Sequence, residues 1–219
     1  NLSSLGINVP DGFVVTTKTY EDFLKFNGID KDIQVLISNL DIETNLRYTG
    51  ETIRKLILDS SFSTKMIGEI GMKYMSMNNR YESLDVNVAV RSSGSAEDLP
   101  EASFAGQQDT YLNIVGIDSI LKHIKMCFAS LFNDRAISYR KSMNYDSLKC
   151  KLSCTIQKMV NSGNGSAGVA FSLDINSGFK DIIVINSSFG IGEIVVSGNV
   201  KPDEFIVSKM ALKNNHESI

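Results

Sequence analysis

Apolar and polar positions alternate most clearly at Val86, Val88 and Val90, which are interleaved with Asn87, Ala89 and Arg91. A period of two predicts a strand with the valines on one face and Arg91 on the other. The strand runs into Ser92-Ser93-Gly94-Ser95, turn formers with no apolar side chain to bury. An acidic, Pro-containing loop follows, and Ser103 to Gln108 leads into a second strand-like run, Thr110 to Ile114. Upstream, Asn8-Val9-Pro10-Asp11-Gly12 is a turn before the β-prone Phe13-Val14-Val15, and Thr17 is placed to cap a helix over Tyr20 to Phe26. Lys31 to Tyr81 reads as helical, with apolar stripes at Ile53, Leu56, Ile57 and at Met66, Ile70, Met72, Tyr74.

Ile117 to Met143 is the longest helical pattern, carried by Ile120, Leu121, Ile124, Phe128, Leu131 and Phe132. Asn144 to Ser147 breaks it and marks the expected seam between two subdomains, 1–146 and 147–219. Beyond it the pattern turns β-rich. Leu152 to Val160 and Ala167 to Leu173 read as strands joined by a hairpin turn at Asn161 to Gly165, and Asp181 to Asn186 as a strand buried on both faces. Helices and strands segregate into an α/β (α+β) chain.

Composition narrows the picture only modestly. The 219 residues are 42% hydrophobic and 21% charged, as in an ordinary globular protein. A net charge of −3 and the lack of any basic run give no reason to expect a nucleic-acid partner. No apolar stretch approaches the roughly 20 residues that span a bilayer, so no membrane association is expected. The chain begins with Asn1 rather than Met, and the true N-terminus is expected to lie upstream. Cys127, Cys150 and Cys154 form no CxxC pair and are read as reduced thiols of a cytoplasmic protein. His123 lies among lysines on a helical face without an acid or nucleophile in the pattern, and is read as a solvated or satisfied side chain.

Chemistry points to one stretch. A guanidinium at a strand end, beside loops of small residues whose backbone can approach closely, is suited to phosphate. Arg91 alone would ordinarily be a surface charge. Taken whole, VAVRSSGSAEDLPEASFAGQQDTYLNI resembles the signature of the nucleotide-binding domain of the phosphoenolpyruvate synthase (pyruvate, water dikinase) and pyruvate phosphate dikinase family, which the rifampin phosphotransferases share. The opening Val9-Pro10-Asp11-Gly12-Phe13-Val14-Val15-Thr16 and the later Phe189-Gly190-Ile191-Gly192-Glu193 resemble further segments of that family.

The resemblance implies an ATP-grasp-like domain, incomplete at both ends, that uses ATP and Mg2+. The implied reaction passes phosphate from ATP to an acceptor through a phosphohistidine on a swivelling domain of the same full-length protein, with an acceptor-binding domain beyond it. Carried over by position, Arg91 would bind the ATP phosphates, and Ala105, Gly106 and Gln107 would form the loop over them. Thr110 would stand beside that loop. Gln157, Met159 and Val160 would meet the adenine, and Glu193 the ribose or a neighbouring group. The phosphate-binding Lys of the family would precede Asn1, and its metal-binding strand would follow Ile219, so no catalytic residue and no metal ligand is expected within the chain. The isolated fragment is therefore expected not to turn over. The alternatives are the ATP-binding domain of a rifampin-type antibiotic phosphotransferase, or a non-catalytic nucleotide-binding module. The loop Ala102 to Gln108 is not Met-rich, which speaks against pyruvate, phosphate dikinase itself.

Overall fold

A computed structural model describes residues 2–94, 98–99, 102–103, 109–143, 145 and 150–217. The chain divides into two compact units, 1–159 and 160–219. In the first, strand β1 (Gly12–Val15) leads to helices α1 (Thr17–Phe26), α2 (Asp30–Ser38), α3 (Leu46–Asp59) and α4 (Thr64–Arg80). Strand β2 (Val88–Gly94), the two-residue strands β3 (Asp98–Leu99) and β4 (Ala102–Ser103), and β5 (Thr110–Ile114) follow. Helices α5 (Ile117–Ser130) and α6 (Asp134–Ser142) precede the last strand of the unit, β6 (Leu152–Lys158). The second unit holds β7 (Ser166–Phe171), β8 (Ile182–Phe189), the helical turn α7 (Glu193–Val196), β9 (Asp203–Ser208) and α8 (Lys209–Lys213).

The main sheet of the first unit has the order β1-β6-β2-β5, antiparallel throughout. Its inner strand β6 alternates strictly: Leu152, Cys154 and Ile156 are buried, while Ser153, Thr155 and Gln157 are half-buried on the other side. The buried set meets Val88 and Val90 of β2 and the helices. Helix α1 packs on β6, and α5 on β2, β5 and β6. Each helix turns a short apolar stripe inward: Tyr20 and Phe23 from α1, Ile53 and Ile57 from α3, Ile70, Tyr74 and Met77 from α4, Ile120, Ile124 and Phe128 from α5. Aromatic rings meet at the centre, with Phe128 5.0 Å from Tyr20 and 5.5 Å from Phe23. Side chains of Thr16 and Ser63 accept from Thr19 and Met66 N–H and so start α1 and α4. The cap is thus one residue earlier than the sequence suggests.

Three expectations about the secondary-structure elements are corrected. The long helical pattern from 117 to 143 is two helices. Leu131 and Phe132 are buried in the connection, and their carbonyls accept from Arg140 and Arg54 rather than from the next helical turn. The turn at 161–165 does not close a hairpin, because β6 is already paired on both sides, with β1 and β2, and offers no edge to β7. Strand β7 pairs instead with β8, which pairs with β9 in an antiparallel meander. Strand β8 is central, but most of its residues are half-buried rather than covered on both faces. The break between compact units falls after Met159, because β6 is hydrogen-bonded into the first sheet; most of the expected seam at 144–147 lies outside the described residues.

Among the described residues no helix is long and apolar enough to cross a membrane.

Candidate functional site

Sheet register sets the site. Arg91 of β2 stands opposite Thr155 of β6 on one side and Thr110 of β5 on the other, and Thr155 stands opposite Val14 of β1. Directly opposed residues share a face, so Val14, Thr155, Arg91 and Thr110 form one row across the sheet. This is the face turned away from the helical core: Val14 is 54% exposed, Arg91 and Thr110 are exposed, and Thr155 is half-buried. Arg91 has no carboxylate partner among the described residues, and the hydroxyls beside it are short and neutral. A cation in register with two threonines, with no carboxylate beside it among the described residues, is available to an anion.

The neighbouring row is Gly12, Gln157 and Ala89. A Cβ on Gly12 would lie 2.6 Å from the Ile156 carbonyl oxygen, so only glycine lets β1 approach β6 here. Gln157 Nε2 donates to the Pro10 carbonyl at 3.3 Å, Lys158 N–H to the Asp11 carbonyl at 2.8 Å, and Met159 N–H to the Asn87 carbonyl at 2.9 Å. The end of β6 is therefore clamped between the turn before β1 and the residue before β2. Arg80 fastens that turn through Asp11 at 2.9 Å. The small residues Gly12, Ala89, Ser93 and Ser153 keep the face low on either side of the Arg91 row.

At the other margin, Asp109 leads into β5. Its carbonyl accepts from Ser92 Oγ at 3.0 Å, and its carboxylate accepts from Tyr111 Oη at 2.8 Å. Burial foremost, and then the Asp109 carboxylate, push the Tyr111 phenol above its usual range. His123 is held by its own helix: Nδ1 donates to the Ser119 carbonyl at 2.7 Å, and the ring lies 5.0 Å from that of Tyr111. Among the described residues no three His, Cys, Asp or Glu side chains gather to hold a metal ion.

The family model of the pyruvate phosphate dikinase AMP/ATP-binding domain matches residues 1–219. The chain belongs to this family. It is 45% identical over 221 residues to the phosphoenolpyruvate synthase of Aquifex aeolicus and 47% identical over 220 residues to that of Helicobacter pylori, covering 100% of the chain in each case. Identity to the phosphoenolpyruvate synthase of Escherichia coli is 44% over 221 residues. The chain spans about a quarter of the length of these curated relatives, 26% to 28%.

Among the residues expected to bind nucleotide in this dikinase domain, the structure brings Arg91, Thr110 and Gln157 onto one sheet face, with Met159 directly after β6. Ala105, Gly106 and Gln107 lie outside the described residues. Val160 and Glu193 belong to the second unit. There Val160 is 60% exposed, and Glu193 is exposed at the start of α7. Gly190 just before it takes φ +95°, a conformation reserved for glycine, while its N–H donates to the Gly165 carbonyl at 3.0 Å. Sequence reasoning passed over Thr155. The signal was present, since Ser153, Thr155 and Gln157 alternate with apolar residues along β6. Two depressions, one beside Lys55 and Asp59 and one beside Glu21 and Lys151, include none of the candidate residues.

Proposed function

We propose that the row Thr155–Arg91–Thr110 binds the phosphates of ATP, and that the chain is the nucleotide-binding part of a phosphotransferase of the pyruvate, water dikinase type. Such an enzyme converts ATP, pyruvate and water to AMP, phosphoenolpyruvate and phosphate. It does so through a phosphohistidine on a swivelling domain, with pyruvate held on a further domain of the same cytoplasmic protein. The observation that carries the reading is the exposed Arg91 guanidinium, unpaired among the described residues and flanked by two threonines. The relatives named phosphoenolpyruvate synthase support pyruvate as acceptor over an antibiotic.

The chain's own residues have a limited task in this chemistry. Arg91 neutralises phosphate charge, and the Thr110 and Thr155 hydroxyls donate to phosphate oxygens. Gln157, with one amide proton given to Pro10, keeps a second proton and its oxygen for the adenine edge, to which Met159 and Val160 are also assigned. Ala105, Gly106 and Gln107 are assigned to the loop over the phosphates, Glu193 to the ribose side, and the fold to the ATP-grasp class. Magnesium finds no cluster of ligands among the described residues.

Arg91→Ala in the full-length protein tests the reading. Loss of a charge-assisted contact to phosphate should weaken binding of ATP by about 2 kcal/mol, or roughly thirtyfold, in a calorimetric titration. Binding and AMP formation equal to those of the unaltered protein would sink it.

A further inference from the structure

We propose that Ser92 is a positioning residue: through the Asp109 main-chain carbonyl it holds Thr110 opposite Arg91, an inference that rests on the reading of that face given above. Ser92 follows Arg91 in β2, so its side chain lies on the opposite face, in register with the buried Cys154, and cannot reach a ligand over the Arg91 row. Its Oγ donates to the Asp109 carbonyl at 3.0 Å, and its own N–H points to the same oxygen at 3.4 Å. The Cys127 thiol approaches that oxygen from α5 at 4.0 Å. Three donors on one carbonyl fix the residue immediately before Thr110.

The need for such a fixture lies in β5. It is an edge strand, and its ladder with β2 shifts register between Val88 and Val90. Asn113 takes φ +58° within the same short strand. A bulged edge ladder specifies register weakly, because one residue of slip costs few hydrogen bonds. Past the bulge only Val90–Tyr111 and Arg91–Thr110 remain in regular pairing. The Ser92–Asp109 contact closes the ladder beyond this pair, so Thr110 stays on the Arg91 face. Tyr111, pinned by its hydroxyl to the Asp109 carboxylate, completes the clamp from the core side.

The test is steady-state kinetics of the full-length protein with ATP varied. Ser92→Ala should raise the KM for ATP about tenfold, the size of a lost hydrogen bond, with kcat and the KM for pyruvate unchanged. Ser92→Thr, which keeps the hydroxyl, should restore the KM. In a Thr110→Ala background Ser92→Ala should add nothing, since the residue it positions is gone. A Ser92→Ala protein with unchanged KM, or an effect that persists in full over Thr110→Ala, overturns the proposal. If Ser92→Ala does not fold, the near-isosteric Ser92→Cys, a weaker donor, is held to the same outcomes. Arg91→Ala measured alongside separates the two readings. Unimpaired ATP use there removes the phosphate site itself, whereas impairment there with unchanged Ser92→Ala removes only the positioning role.

Discussion

Burial favours the neutral, protonated form of Tyr20, Tyr111 and Cys154 in the first unit. Tyr20 is raised far above the ordinary phenol range by burial. Tyr111 is raised by burial and the Asp109 carboxylate, and the Cys154 thiol by burial and by Cys127 beside it. For each group the folded value exceeds the unfolded one, so its contribution is complete below the unfolded value and is lost as pH rises. Stability should therefore begin to fall above about pH 8.5, where an unfolded thiol ionises, and more steeply above about pH 10, where unfolded tyrosines do. Tyr20→Phe keeps the ring against Phe128 and removes one titrating group. Urea midpoints of that variant should decline less steeply between about pH 10 and 11 than those of the unaltered protein. Of these residues the sequence disclosed little. Tyr20 is legible as a core position from its helical spacing, but the contact of Cys127 with Cys154 joins a helix to a strand and no local pattern announces it. Arg91 is the opposite case: its alternation with three valines is enough to place it on the face away from the core.

Among the elements, β6 carries the greatest load. It is the inner strand that joins β1 to β2, and Ile156 sits in its middle without measurable exposure. Ile156→Ala leaves a cavity between sheet and helices, and should cost about 3 kcal/mol, read as a lower urea midpoint with an unchanged slope. The strand itself was legible from its period of two. Its partners were not, since pairing with β1 spans most of the unit and turn chemistry at 161–165 argued for a neighbour in sequence. Similarly, α5 and α6 share one apolar periodicity. What separates them is partly tertiary: Arg54 reaches across from α3 to the Phe132 carbonyl, Arg140 folds back from α6 to the Leu131 carbonyl, and Arg54 also meets Asp134 at 3.0 Å. A local pattern shows one continuous stripe because these carbonyl contacts, one of them with a residue of α3, leave no mark on the apolar spacing.

Over the whole chain, burial is uneven. The contiguous apolar core is built entirely from the first unit. In the second, Val184 and Val207 are the buried apolar residues among those described, while Phe189, Val196 and Ile206 are 83%, 73% and 52% exposed. A three-stranded meander with so little covered surface opens at low free energy. Backbone amides of β7, β8 and β9 should accordingly exchange with solvent at least roughly tenfold faster than those of β2 and β6, measured residue by residue by hydrogen exchange. Equal protection in both units would contradict this. Family membership was readable from one contiguous string around Arg91. The distribution of core between the units was not, because it depends on which strands pair.

Positions 153, 155 and 157 of β6 look outward, and those between them look into the hydrophobic interior. If that face binds nucleotide as proposed, ligand preference can drift through point replacements at every second residue while the interior stays intact. A one-residue insertion or deletion inside the strand would exchange the two sets at once. Variation in length should consequently be confined to the loops on either side of this strand, and selection for a new nucleotide or a new anion should act on side-chain identity alone.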